Sequence, residues 1–403
     1  MDLEYGPELE AFRTEVADFL AASWPPKGED AEGSREEAAA RFRAKATATG
    51  YLNRSIPKKY GGGEQPADVL KAAVIREEFT RAHAPMEARG IGTMMLVPTL
   101  LERGEEWMKE KWVEPTITGE VRWCQGYSEP GSGSDLASLK TRGELDGDDW
   151  VINGQKIWTS GAQTAHYMFC LVRTEADAPK HAGISYLLID MDQPGIDVRP
   201  LKQMDGNADF NEVFMSDVRT PKDWIVGKRG EGWNVSRTTL KHERNSIGAA
   251  QQAEMMFAGL VGLAKGATKN GRPAIEDSEV RQKLAEIEGA VAAHKYAGYY
   301  QLTKSSRGES PGLMQMMNKL NSTNIGHEIA KLALDLLEDD GLMGGGDRTA
   351  GAMPSGADAW ISQYMWSLGI AVAGGTANIQ RNVIAERGLG LPRDAAADRS
   401  KQK

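Results

Sequence analysis

The sequence predicts an α+β chain in three parts, helices followed by strands followed by helices. Three observations carry that prediction. Apolar residues recur at three- and four-residue steps before about residue 121 and again after about residue 232. Between those limits the segments are short, rich in β-branched and aromatic residues, and separated by Gly, Asp, Asn or Pro. The chain has 403 residues, 40% apolar and 26% charged, which is long enough and balanced enough for a large buried core. The expected parts are an N-terminal α-helical domain over 1–121, a middle β-barrel or sheet domain over 122–231, and a C-terminal helical bundle over 232–403.

In the first part, Leu9, Phe12, Val16, Phe19 and Leu20 mark one face of an amphipathic helix, and 69–80 repeats the pattern. Ile56-Pro57 and Tyr60 to Gly63 mark a loop between them. The middle part reads as an antiparallel sheet closing into a small barrel, with Asn153-Gly154 as a hairpin turn because both residues tolerate positive φ. In the third part, helices are expected from Trp233 to about Lys269, from Ser278 to about Lys304 and from about Met314 to Leu337. A glycine-rich loop over 341–358 and a last helical stretch follow.

Composition narrows the function. A net charge of −9 argues against a nucleic-acid surface, which needs clustered Lys and Arg. The two cysteines, Cys124 and Cys170, have no metal or redox spacing, which fits a reducing cytoplasm. Six histidines form no HxxxH or HExxH pattern, so a catalytic zinc has no ligand set. The acidic amphipathic start does not read as a signal peptide, and no apolar run has membrane-spanning length.

Three blocks carry chemistry. Gln125 begins QGYSEPGSGSD, Asn153 to Gly161 read NGQKIWTSG, and Gly374 to Gly390 read GGTANIQRNVIAERGLG. Together and in this order they resemble the signatures of the acyl-CoA dehydrogenase family. Weaker echoes at 57–63, 105–120, 213–221 and 226–233 extend the resemblance over nearly the whole chain. It implies the family's fold, bound FAD, and desaturation of an acyl-CoA thioester between its α and β carbons. Short hydroxyl side chains and backbone N–H groups suit a flavin edge because they donate hydrogen bonds without filling the site. By resemblance, Ser128 and Ser160 approach the flavin and Trp158 packs on its ring. Gly131 and Gly133 let the backbone come close, and Ser134 serves both flavin and substrate. Gln125, Tyr127 and Thr159 belong to the same cofactor-binding set. Either motif alone reads better as a Gly/Ser turn between strands followed by a core tryptophan; the pair favours the flavin.

Many family members carry the catalytic Glu at the position of Gly374, and glycine cannot accept a proton. A second lineage places a Glu just before an Arg on the helix after the sheet, where this chain has Glu243 and Arg244. Ser236, Leu240, Glu243 and Ile247 share a helix face, and the apolar members of that face favour a desolvated, more basic carboxylate. A Glu-Arg step on a helix is otherwise an ordinary solvated pair. The resemblance makes Glu243 the base, Arg244 a substrate contact, and the Gly374 backbone N–H a donor to the thioester carbonyl.

Arg272 resembles a residue that reaches the FAD diphosphate of a neighbouring subunit, and an exposed loop arginine accounts for it equally. Thr376 and Asn378 match positions near the adenine or diphosphate end. The family's Gln-x-x-Gly-Gly is replaced by Asp335 to Asp339, DLLED, which leaves both a homo-oligomer (dimer or tetramer) and a hetero-tetramer with a related subunit open. An electron-transfer flavoprotein is the implied electron acceptor. The ending AERGLGLPR resembles a bacterial branch that includes degraders of steroid side chains. Ala373 and Gly374 are both small, which leaves room for a branched or ring-bearing acyl group. Two alternatives stay open: a flavin oxidase or monooxygenase on the same fold, and a non-catalytic partner subunit.

Overall fold

The computed structural model describes residues 5–247, 250–342 and 356–392, with the side chains of 243–247 excluded. The chain divides into two compact units, one of residues 2–202 with 208–243 and the other of residues 203–207 with 244–403.

The first unit opens with α1 (Pro7–Ser23), α2 (Arg35–Ala48) and α3 (Val69–Arg81). The helical period predicted for the N-terminus is present: Val16 and Leu20 of α1 are buried with Phe42, Ala46, Ile75 and Phe79 of the next two helices. Ser34 and Glu37 form a capping box at the start of α2, and the Asp68 carboxylate accepts from Leu70 and Lys71 at the start of α3. A π-helical turn over Gly92–Leu96 leads into α4 (Val97–Arg103), and α5 (Glu106–Thr118) follows.

Strands β1 (Trp123–Gly126), β2 (Arg142–Asp146), β3 (Asp149–Lys156), β4 (Tyr167–Arg173), β5 (Ile184–Asp190), β6 (Ile196–Leu201) and β7 (Phe210–Pro221) form one sheet. The order is β1-β4-β2-β3-β7-β6, with β5 beside β4. The sheet is mixed rather than antiparallel throughout, since β1 runs parallel to β4. The long connection between those two strands, which contains both flavin-type motifs, permits the parallel pairing.

A second correction concerns the hairpin. Asn153 and Gly154 lie inside β3, and the β2–β3 turn is at Gly147-Asp148, with Asp146 paired to Asp149 and Gly147 at φ +65°. Asn153 is held there by β7: its side chain donates to the Asp217 carboxylate at 3.0 Å and accepts from the Asp217 N–H at 2.9 Å. A register shift beside Gly154 marks a bulge, and a Cβ at Gly154 would lie 2.5 Å from Thr141 Oγ1. Glycine is present there for close approach, not for a turn.

One core joins the helices of this unit to its sheet. Met95, Leu96, Leu100, Met108 and Trp112 pack with Trp123, Phe169, Tyr186, Leu188 and Val235. The opposite sheet face buries Cys124, Trp150, Ile152, Met168, Cys170 and Val213. Burial pushes the Cys124 thiol far above its ordinary range and Cys170 up to about 11, so both are inert packing residues.

Helix α6 (Gly232–Ile247) begins in the first unit. The second unit contains α7 (Ala250–Gly266), the two-residue strands β8 (Thr268–Lys269) and β9 (Arg272–Pro273), α8 (Ser278–Ser306), α9 (Leu313–Leu337), α10 (Ala357–Ile370) and α11 (Ala377–Val383). The helix expected to reach Lys269 stops at Gly266, because 268–273 turn into a hairpin through Asn270 and Gly271, both at positive φ. Leu260, Ile287, Ile329, Ala333 and Trp360 are among the residues of this unit's core. Most of the glycine-rich stretch lies outside the described residues. Among the described residues no helix is long and apolar enough to cross a membrane, and no His, Cys, Asp and Glu group has a metal-binding arrangement.

Candidate functional site

In the first unit the fold brings two of the motifs together. β1 delivers Gln125 and Gly126 to the sheet edge, where a Cβ on Gly126 would lie 2.4 Å from Met168 Sδ. Tyr127 turns into the core, edge-on to Phe169 and Tyr186. Glu129 and Ser132 then close a tight turn, with Glu129 N–H donating to Ser132 O at 3.1 Å and Ser132 N–H to Glu129 O at 3.0 Å. The Ile157 N–H donates to the Ser128 carbonyl at 2.9 Å, so the segments carrying Ser128 and Ser160 run side by side.

Beyond Ile157 the backbone turns sharply. Trp158 adopts φ +60°, a conformation that costs a bulky residue about 1–3 kcal/mol, and its indole is 59% exposed against the edge of Phe210. Thr159 and Asn211 lock the next step: Thr159 N–H donates to Asn211 O at 3.0 Å, and Asn211 returns a bond at 3.1 Å. Asn211 Nδ2 adds a bond to the same Thr159 carbonyl at 2.9 Å.

A buried ion pair that the sequence reading missed ties the two motifs. Lys156, fully buried, donates from Nζ to Glu129 Oε1 at 2.9 Å and to the Tyr127 carbonyl at 3.3 Å. The Glu129 carboxylate also accepts from the N–H groups of Lys140 at 2.6 Å and Thr141 at 2.8 Å. Burial alone would raise the Glu129 pKa, but the Lys156 charge and the bonds from Thr141 and Lys140 hold it below the usual carboxylate range. Both charges lie inside the two motifs, but nothing local in the sequence marks either as buried.

The surroundings fit a flat group with a polar edge. Ser132 Oγ and Thr159 Oγ1 are buried and have no hydrogen-bond partner among the described residues, an arrangement that a protein tolerates poorly. A Cβ on Gly131 or Gly133 would meet nothing within 4 Å, and neither glycine has positive φ. Neither packing within the chain nor backbone conformation calls for glycine at those two places, whereas close approach by a ligand does. The same loop leaves Ser134 exposed and Gln125 and Ser128 half-buried.

On α6, Ser236 and Thr239 are buried, and Thr239 Oγ1 lies 2.9 Å from Thr99 Oγ1 and 3.4 Å from the Tyr186 hydroxyl. Leu240 packs on the same core. This is the face whose period leads to Glu243; the side chains of Glu243 and Arg244 lie outside the described residues.

In the second unit, Gly374 and Gly375 follow each other at φ +62° and +98° in the turn between α10 and α11. Thr376 caps α11, its Oγ1 accepting from Ile379 N–H at 3.3 Å, and Asn378 Oδ1 accepts from Arg381 at 3.2 Å. Arg272 is exposed on the β8–β9 hairpin, opposite Lys269.

Comparison with known proteins agrees with this architecture. The chain matches the acyl-CoA dehydrogenase N-terminal domain over residues 6–120, the middle domain over 124–218 and the C-terminal domain over 230–389. It is 38% identical to the acyl-CoA dehydrogenase IpdE1 of Mycobacterium tuberculosis over 96% of this chain and 99% of that one. Among solved structures, the steroid ACAD Tcur3481-Tcur3483 superposes with a TM-score of 0.76 at 28% identity, covering 98% of this chain and 100% of that one. The ChsE4-ChsE5 complex of Mycobacterium tuberculosis gives a TM-score of 0.75 at 28% identity and the same coverage. With three domains matched in order and a relative of this identity aligned end to end, the chain belongs to the acyl-CoA dehydrogenase family, oxidoreductases that act on CH–CH groups.

Proposed function

We propose that the chain binds FAD and desaturates an acyl-CoA to its trans-2-enoyl-CoA, with Glu243 as the base. The observation that carries this reading is the pairing of the Ser128 and Ser160 segments through the Ile157–Ser128 hydrogen bond, beside an exposed Trp158 held at positive φ. Ser128, Ser132, Thr159 and Ser160 offer hydroxyl or backbone groups to a flavin edge, Trp158 offers a flat apolar face, and Gly131 and Gly133 leave space for contact. Gln125, Tyr127, Ser134, Arg272, Thr376 and Asn378 complete the proposed cofactor set. When bound, FAD supplies a hydride acceptor for the β-hydrogen.

The chain's own groups do the remaining work. Glu243 removes the α-proton, Arg244 and Ser134 hold the substrate, and the Gly374 N–H donates to the thioester carbonyl. Such a preorganised donor is worth roughly 3 kcal/mol in the transition state. Moving the base off the Gly374 position leaves that backbone donor intact. Relatives named as a steroid ACAD and as a two-protein complex support a bulky acyl group and a hetero-oligomer; electrons would pass to an electron-transfer flavoprotein. The functional regions are taken as 1–121, 122–231 and 232–403.

Purification of the chain alone tests the cofactor reading. Stoichiometric FAD, released on denaturation and quantified by absorbance, is the expected result. A chain that binds no FAD when refolded with excess FAD, either alone or together with a related subunit, would overturn the cofactor reading.

A further inference from the structure

Helix α9 carries a lysine where a lysine is costly. Lys319 is 2% exposed, and a buried ammonium persists only when its donors are met. Its Nζ donates to the Gly375 carbonyl at 2.5 Å and to the Ala371 carbonyl at 3.4 Å. Those two carbonyls bracket the Gly374 turn. From the other side, Gln380 Nε2 donates to the carbonyls of Gly374 and Gly375, each at 3.4 Å, and the Ala377 N–H donates to Ala371 O at 3.2 Å. The turn consists of two consecutive glycines at positive φ, so its own backbone preference holds it weakly. Its shape is therefore imposed by side chains from α9 and α11.

We propose that Lys319 is the positioning residue that fixes the Gly374 amide for the acyl thioester. The ammonium holds the carbonyls of Ala371 and Gly375, before and after the segment that contains that amide, and so constrains the direction of its N–H. Its charge also strengthens a donor that must meet negative charge developing on the thioester oxygen. The inference rests on the proposed role of Gly374. The competing account is a plain helix cap: a cation at the carbonyl end of α10 stabilises the helix with no effect on substrate.

The test uses the FAD-loaded protein, cinnamoyl-CoA as the bound probe, and difference Raman spectroscopy of its thioester carbonyl, beside kcat and KM. Wild type should lower the carbonyl stretch. Lys319→Met should keep its FAD and lose most of that shift, with kcat falling about 10- to 100-fold and KM little changed. Lys319→Gln, which keeps a donor but no charge, should fall between the two, and it and Gln380→Leu carry the test if the Met variant does not fold. Variants with lower thermal stability but the full carbonyl shift would make Lys319 only a helix cap and overturn the proposal. A wild-type protein that leaves the stretch at its free-solution position would instead remove the Gly374 reading, and the proposal with it.

Discussion

Trp158 spends stability at one position without an internal return. A large aromatic in the left-handed region, mostly exposed, gains little from burial and pays for its backbone. Trp158→Gly should therefore raise the stability of the flavin-free protein by about 1 kcal/mol while weakening FAD retention. Denaturation midpoints and FAD dissociation measured side by side check this; a variant less stable in both states would mean the indole holds the fold. Glu243→Gln is the complementary change. The amide keeps the shape and loses the proton acceptor, so FAD content should be unchanged and flavin reduction should slow by at least about 100-fold. Stopped-flow reduction near the wild-type rate would assign the base elsewhere. At this scale the motifs single out Ser128, Trp158 and Ser160, which the structure places on adjoining segments. The sequence was not readable for Glu129, Lys156 or Lys319, because a charged side chain looks exposed until its buried partners are known.

At the scale of the element, β3 shows how tertiary pairing overrides a local signal. Asn153-Gly154 has turn chemistry, yet β7 pairs with β3 on both sides of a bulge there, and the Asp217 contacts tie the Asn153 side chain to it. The turn falls instead at Gly147-Asp148, inside an acidic run that has a weaker signature. Helix faces were more legible: α1 and α3 bury the residues that recur with helical period, because one apolar stripe against one core is all those helices require. The Glu129–Lys156 pair joins β3 to the loop after β1, and breaking it should loosen both flavin-type segments. Lys156→Met leaves the Glu129 carboxylate buried without its cation, a loss of about 3–5 kcal/mol. Denaturant unfolding measures it, and a loss under about 1 kcal/mol would show that the N–H groups of Lys140 and Thr141 suffice. Because the Glu129 pKa is lowered in the fold, its contribution is complete above the ordinary carboxylate range and disappears as pH falls through the lowered value.

At the scale of the whole molecule, the helix–sheet–helix order was visible from the change in period near residues 121 and 232, since periods of 3.6 and 2 cannot be confused over such lengths. The mixed character of the sheet was not, because a parallel pairing across forty residues has no local signature. The family is now fixed and the acyl group is the open quantity. Small residues at Ala373 and Gly374, with Glu243 as the proposed base in place of a glutamate there, would favour a branched or ring-bearing chain near the thioester. Each methylene of a slender chain left without contact forgoes roughly 0.8 kcal/mol of burial. Comparison of kcat/KM should favour branched or steroid-type thioesters over straight medium chains, and the reverse order would mean that other side chains refill the space. The central claim, that this chain is itself the catalyst, is tested most directly by anaerobic titration of the purified, FAD-loaded protein with a steroid-type acyl-CoA. The flavin absorbance should bleach in proportion to added substrate, with one trans-2-enoyl-CoA formed per flavin reduced; an unbleached flavin and unaltered thioester across branched, steroid-type and straight-chain substrates would contradict it.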